Sequence, residues 1–336
     1  MEKCRDFGTR QVFASGAIKT LESECREAAP LNAENVAPEA IERCKTTQSN
    51  NSLPDVKTAN RARDYVLKIR PVSHGKWVDY AELWGYRDLL WSLAARDLKL
   101  RYRQTALGIL WVIFQPLAGA GIFAIVFGWV AGLASDKASY FLFSLAGLLV
   151  WNAFQSTLGK ASTALIGNAA LVSKVYFPRL LLPLSTVLSS LVDFTIGLSV
   201  FVVFALLSDA KCGWPNLFIL SLWLACALAS AVGLGLLASA VMTRFRDVQH
   251  ILPVLLPFLM YGSPVAYALD AVPNQWKSVF LWNPMSWVLE GSRAALLGTP
   301  PVSTFWTIYA VGGAVCILIV GLLGFRKMER TFADVL

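Results

Sequence analysis

Six long apolar runs set the limits on what this chain can fold into. They occupy 107–130, 140–158, 180–207, 217–242, 251–268 and 305–325. Each is close to the roughly 20 residues a helix needs to cross the hydrocarbon core of a bilayer. With no water there to satisfy an open backbone, the hydrogen bonds must close within the segment. Six membrane-crossing helices are therefore expected. The fifth run carries Pro253, Pro257 and Pro264, which remove ladder hydrogen bonds and predict a kinked or broken helix. Charged residues make up only 15% of the chain, against about 25% in soluble domains, so a soluble core is excluded.

The placement of Lys and Arg orients the runs. Arg96, Lys99, Arg101 and Arg103 precede the first, and Lys160, Lys174 and Arg179 lie between the second and third. Arg244 and Arg246 follow the fourth, and Arg326, Lys327 and Arg330 follow the sixth. All fall on one side, which the positive-inside rule makes cytoplasmic, so both termini are expected there and the chain is expected to be a multi-pass membrane protein. The net charge of +8 is spread beside the runs and forms no patch interleaved with aromatics, which disfavours nucleic acid and favours membrane lipids as partners. Residues 1–60 are polar and are expected to form a loose cytoplasmic tail. The segment 61–106 then leads into a membrane domain over 107–326, and 327–336 is a cytoplasmic end. The six cysteines form no CxxC pair, and only two histidines, His74 and His250, are present. Neither a disulfide framework nor a metal site is suggested. Cys226 and Cys316 are expected to be small apolar packers.

Three segments do more than span. In 80–104, Asp88, Ser92, Arg96, Lys99 and Arg103 share one narrow helical stripe, while Trp84, Leu90, Trp91, Leu93, Ala94, Leu98 and Tyr102 cover much of the rest. That pattern predicts an amphipathic helix at the cytoplasmic interface, either a plain anchor or a docking surface. Asp97 and Arg101 stand at i,i+4 with the acid first, an arrangement that favours an ion pair. The link Ser173 to Arg179 contains Tyr176, Phe177 and Pro178, which would present aromatic knobs to a partner or serve as interfacial anchors. The loop Thr243-Arg-Phe-Arg-Asp247 repeats the idea after the fourth run, with Arg244, Arg246 and Asp247 as its charges. At the outer face, 276–282 and 285–297 are apolar but too short to cross, and Asn283 and Pro284 separate them. They read as a pair of re-entrant or interfacial helices. Glu290 and Arg293 lie three apart on one face and should meet water or each other.

Chemistry has no obvious home. No paired carboxylates stand near a run's end, and Gly159-Lys160-Ala161-Ser162 lacks the glycines and hydroxyl of a nucleotide loop. No catalytic residue, metal or cofactor is assigned to this chain. The one acid expected inside the membrane is Asp193, a thin basis for a proton relay. The runs instead hold neutral polar and aromatic residues, Gln115, Asn152, Gln155, Trp111, Phe114, Trp151, Phe154 and Tyr261. These suit a sugar-lined path, or ordinary helix packing. The energy source is therefore expected in another subunit.

Six motifs carry a resemblance. Tyr86-Arg-Asp-Leu-Leu90, Arg96-Asp-Leu-Lys-Leu-Arg-Tyr-Arg-Gln-Thr-Ala-Leu-Gly108, Gln115-Pro116, Lys174-Val-Tyr-Phe-Pro-Arg179, Arg246-Asp-Val248 and Asn283-Pro-Met285 occur in this order. Together they resemble the type-two ABC transporter permeases that export polysaccharide, including O-antigen of lipopolysaccharide, capsule and teichoic acid. The resemblance runs from about Ile69 to the C-terminus; the long N-terminal tail departs from it. It implies an all-α homodimer of six-helix subunits bound to two copies of a separate cytoplasmic ATPase, which holds the ATP and Mg. It implies ATPase contacts at 96–104 and 174–179, a periplasmic gate at 276–297 that includes Trp282, Asn283, Pro284, Glu290 and Arg293, and a glycan on a polyprenyl diphosphate as cargo. Lys160, Lys174 or Arg179 would receive the diphosphate, or serve topology alone. The alternatives are a permease for a smaller lipid or drug, and a membrane glycan-modifying enzyme.

Overall fold

The computed structural model describes residues 84–103, 108–130, 132, 137–175, 177–208 and 216–329, with backbone alone at 101–103, 108–109 and 137–139. The described residues form helices and no strand: α1 (Arg87–Arg103), α2 (Gly108–Phe123) widening into a π-helix (Ala124–Val130), α3 (Lys137–Gly167), α4 (Ala169–Lys174) and α5 (Leu181–Leu207). Then follow α6 (Leu217–Arg244), α7 (Val248–Tyr261), a 3₁₀ turn (Leu269–Ala271), α8 (Asn274–Leu281), α9 (Pro284–Leu297) and α10 (Thr304–Glu329). The stretches expected to be a cytoplasmic tail, 1–60, and the last residues of the chain lie outside the described residues.

Among the described residues, five helices are long and apolar enough to cross a membrane: Leu110–Val130, Tyr140–Gly167, Leu181–Leu207, Leu217–Arg244 and Thr304–Glu329. The fifth apolar run behaves differently. Its helix α7 has 14 residues, about 21 Å at 1.5 Å per residue, short of the roughly 30 Å hydrocarbon thickness. Pro253 and Pro257 lie inside it, and the backbone leaves helix just before Pro264, which disfavours helical geometry in the residue that precedes it. The segment from Ser263 to Ala266 is then buried as irregular chain.

The second run also differs from its expected end at Leu158. Its helix continues to Gly167 because the first charge it meets, Lys160, is not at the membrane edge but paired inside the bundle, as described below. This helix, α3, is the centre of the subunit: 72% of its most apolar window is buried, against 22% for the first, third and last spans. Those three leave broad apolar faces for lipid or for another chain.

Helix α6 packs on α3 and α10. The α6–α10 crossing is backbone on backbone, since a Cβ on Gly321 would collide with the Gly233 backbone, and one on Gly233 would stand 2.5 Å from the Ile317 carbonyl oxygen. Small residues at such a crossing allow the close approach that drives helix association in lipid, where no hydrophobic force acts between helices.

Two buried clusters organise the interior. One gathers Trp151, Trp223, Val288 and Leu296 among α3, α6 and α9. The other joins Leu93 of α1, Leu165 of α3, Leu181 of α5, Leu236 of α6 and Phe325 of α10. The second cluster brings the ends flanked by Lys174, Arg179, Arg244 and Arg326 to one pole, the basic end. Helix α1 lies there with Leu93 and Ala94 buried, while the expected polar stripe of Asp88, Ser92, Arg96 and Lys99 is exposed. Trp84 and Trp91 are exposed as well, as suits a helix in an interface. Cys226 is a buried packer, whereas Cys316, expected to pack as well, is exposed on α10.

Candidate functional site

At membrane depth, α2, α3 and α5 enclose a polar cleft. Lys160 on α3 donates from Nζ to Asp193 Oδ2 at 3.2 Å and to Ser189 Oγ at 3.0 Å, both on α5. Asp193 lies about 18 Å along α5 from Leu181 at 1.5 Å per residue, so this ion pair sits well inside the span. Either charge alone would be costly there; together, with a hydroxyl, they satisfy one another. Lys160 is thus not the edge cation that the sequence suggested. Beside the pair lies a cavity of about 240 Å³ whose wall includes Gln115, Asn152, Gln155, Ser156 and Asp193. The Trp151 indole N–H donates to Gln155 Oε1 at 2.9 Å.

The aromatics expected along a path divide sharply. Trp111 and Phe114 are each 57% exposed on α2 with ring centroids 5.7 Å apart, and Tyr261 at the end of α7 is 52% exposed. Trp151 and Phe154 are 1% and 4% exposed, with rings 5.2 Å apart in the interior. They pack the subunit and line no open surface of it; a helix pattern does not distinguish the two faces when both are apolar.

At the basic end, Arg96 Nη2 donates to Asp97 Oδ1 at 3.1 Å and to Asn168 Oδ1 at 2.6 Å. Asn168 donates in turn to the Ala164 carbonyl at 2.9 Å. Arg96 therefore ties α1 to the corner between α3 and α4. Asp97 takes Arg96 as its partner; the expected Asp97–Arg101 pair cannot be placed, because the Arg101 and Arg103 side chains lie outside the described residues, as does Tyr176. Phe177 corrects the expectation of a presented knob: it is 6% exposed and packed among Leu165, Leu181 and Phe325. Arg179 Nη1 donates to the Glu329 carbonyl at 2.8 Å, capping the C-terminal end of α10, where a cation is favoured.

Lys99 and Lys174 are exposed, as are Arg244, Arg246 and Asp247. Phe245, in the middle of the second link, is 56% exposed, and Val175, an apolar residue of the first link that the sequence pattern did not single out, is 52% exposed. The Arg244 guanidinium stands 5.5 Å from the Phe245 ring. Val175 lies in a link notable for its charges, and that placement is the available signal.

At the opposite end, the two expected short helices are present as α8 and α9. Asn283 and Pro284 end one and begin the other. Asn283 Oδ1 accepts from Met285 N at 3.0 Å as an N-cap, and Pro284 takes the first helical turn, where its missing N–H costs nothing. The Asn283 amide also donates to the Gly262 carbonyl and to Ser263 Oγ, fastening α9 to the broken end of α7. Trp282 is 70% exposed, and its carbonyl accepts from the Tyr309 hydroxyl at 2.6 Å. Trp287 stacks on Trp306 with centroids 4.3 Å apart.

Arg293 is the largest departure from expectation at this end. It is 1% exposed and donates from Nη2 to the Pro264 and Val265 carbonyls at 2.7 and 2.5 Å. Its guanidinium lies 3.9 Å from the Phe143 ring centroid. The expected Glu290 partner is present, but 3.5 Å away. Burial lowers the Arg293 pKa to about 10, with the charge of Glu290 opposing the shift. Gly147 makes the approach possible, because a Cβ there would stand 2.6 Å from Nη2.

Among the described residues no three His, Cys, Asp or Glu side chains converge on a metal site. What the arrangement provides is a local polar cleft between three of the spans, a basic face at one end of the bundle and an aromatic, latched helix pair at the other.

Known proteins are similar to this chain in sequence. The chain is 28% identical over 250 residues to the O-antigen export system permease protein RfbA of Klebsiella pneumoniae, covering 74% of this chain and 95% of that protein. It is 30% identical over 230 residues to the RfbA protein of Myxococcus xanthus, covering 68% and 81%. The polysialic acid transport protein KpsM of Escherichia coli matches at 28% over 243 residues, covering 71% and 93%. The model of the ABC-2 type transporter family matches residues 88–297, from the second residue of α1 through the end of α9, so the cleft, the basic links and the latched outer helices all fall within it: the chain belongs to the ABC-2 type transporter family.

Proposed function

We propose that this chain is the transmembrane permease subunit of an ATP-driven exporter that carries a lipid-linked polysaccharide across the bacterial inner membrane. The observation that carries the reading is the near full-length match to relatives named for O-antigen and polysialic acid export. Their substrates share a polyhydroxylated chain, and the exposed aromatics of α2 and α7 with the amides of the cleft offer such a chain stacking surfaces and hydrogen bonds. The chemistry of ATP, with its Mg, belongs in this reading to a separate ATPase.

The finer architecture follows the same reading. Two copies of the chain form the conduit, with α7 and the irregular segment after it completing a sixth span and α8–α9 re-entering from the periplasm as the gate. Both termini are cytoplasmic. Two ATPase copies dock on the basic end, where Lys99, Lys174, Arg244 and Arg246 present charge and Val175 and Phe245 present apolar contacts; Arg96, Asp247 and Arg179 belong to the same face. Phe177 contributes by bracing the link from within. Lys174 and Arg179 receive the diphosphate at the cytoplasmic side, since a dianion needs cations there. Lys160, committed to Asp193, serves structure. Trp111, Phe114 and Tyr261 line the path, and Trp151 and Phe154 support it from behind.

Deleting the gene tests this directly. Lipid-linked polymer should accumulate inside the cell while surface glycan disappears, and re-expression should reverse both. Normal surface glycan in the deletion strain would refute the cargo, and accumulation of a small lipid instead would favour the smaller-substrate reading. Purification from native membranes should recover an ATPase with the chain.

A further inference from the structure

The cleft holds more hydrogen-bonding capacity than the protein uses. Gln155 spends its oxygen on the Trp151 indole, leaving its amide N–H groups. Among the described residues the side chains of Gln115 and Asn152 have no hydrogen-bond partner. All three amides border one cavity, together with the Asp193 carboxylate. An amide facing hydrocarbon without a partner is costly, so polar groups gathered at one opening in a membrane span mark a place where water or a polar ligand is expected.

Size narrows the occupant. At about 240 Å³ the cavity exceeds the roughly 30 Å³ that one water takes up in the liquid and falls below the roughly 300–1,000 Å³ of pockets that enclose drug-sized ligands. That suits a single sugar ring. Primary amides offer a donor pair and an acceptor at fixed spacing, which matches neighbouring hydroxyls; a hydrocarbon tail would leave all of them unpaired. A second copy of the chain fits less well, since Asn152 and Gln155 are half-buried and recessed beside Ser156, whereas Gln115 alone is exposed.

We propose that the cleft between α2, α3 and α5 is a glycan-hydroxyl subsite. Gln115, Asn152 and Gln155 hydrogen-bond one sugar unit as the polymer passes, and the Lys160–Asp193 pair holds α3 and α5 at the spacing the subsite requires. The proposal rests on the export reading and adds a specific recognition point to it.

Ser156, in the cavity wall, provides the test. In membranes of cells carrying Ser156→Cys, a membrane-impermeant methanethiosulfonate reagent is applied and labelling beyond that of the wild-type chain is measured. Cells making the lipid-linked glycan are compared with cells blocked in the first glycosyl transfer to the lipid carrier. Labelling should be strong in the blocked cells and several-fold weaker in the glycan-making cells. Equal labelling in both would place the cleft off the path, and absence of labelling in both would mean that lipid or a second copy fills it; either result overturns the subsite.

An independent variant, Asn152→Leu with Gln155→Leu, should lower the export rate by about tenfold, the effect of losing one to two hydrogen bonds, at unchanged membrane level and ATP hydrolysis. Unchanged export would overturn the proposal. Surface glycan persisting in the deletion strain would instead remove the export reading on which it rests.

Discussion

Replacing Arg293 by leucine removes the contacts that hold α9 against the broken end of α7. The guanidinium makes two charge-assisted hydrogen bonds to the Pro264 and Val265 carbonyls at 2.7 and 2.5 Å and faces the Phe143 ring at 3.9 Å. Bonds to charged groups contribute about 1.5–3 kcal/mol each, and the two carbonyls left behind are buried away from water. Leucine returns some burial energy, and the wild-type Nε, which is buried without a partner, is a cost that disappears. The net loss for breaking such a buried arrangement is about 3–5 kcal/mol.

Glu290 provides the contrast. It is 36% exposed and its contact is at the 3.5 Å limit, so Glu290→Gln should cost under about 1 kcal/mol after screening by solvent. Unfolding of the purified chain in mixed micelles titrated with SDS measures both. A loss for Arg293→Leu below about 1 kcal/mol, or one for Glu290→Gln as large as that for Arg293→Leu, would refute the assignment of the carbonyls as the main partners.

Three further outcomes follow from the packing. Lys160→Met or Asp193→Leu alone should strand a charge in the span and lower the amount of folded chain, while the double variant should recover much of the loss, as a double-mutant cycle on membrane-inserted protein would measure. Phe177→Ala should destabilise by about 3–5 kcal/mol because it empties a buried ring site, whereas Phe245→Ala should leave stability unchanged and weaken recovery of the ATPase with the chain; equal behaviour of the two would contradict the buried and exposed placements. Gly321→Leu should prevent the α6–α10 contact and abolish accumulation of the folded subunit, whereas Gly312→Ala, with open space around its Cβ position, should be tolerated, both read from protein levels in the membrane.

Much of the fold is legible in the chain itself because the bilayer imposes a local rule. A span must be about 20 apolar residues long, so the five long helices are evident; the fifth run also reads as a span, kinked or broken at its three prolines, and among the described residues it forms a helix of only 14 residues. Asn283 and Pro284 likewise announce the boundary between two short helices, since cap and proline preferences act within one turn. The family motifs point to the same reading, and the relatives agree with it.

Which side of a helix meets what is decided only by the tertiary arrangement. Trp111 and Trp151 are equally aromatic and equally placed in apolar runs, yet one is exposed and the other enclosed, because α3 is surrounded and α2 is not. Lys160 has the sequence position of an edge cation, but Asp193, on another helix, meets it inside the span. Arg293 has the spacing of one half of a surface pair, but two carbonyls from the end of α7 receive it. Local sequence determines backbone hydrogen bonding and span length, which are satisfied within a segment. The satisfaction of a buried charge depends on groups distant in the chain, and only the packed bundle brings those together.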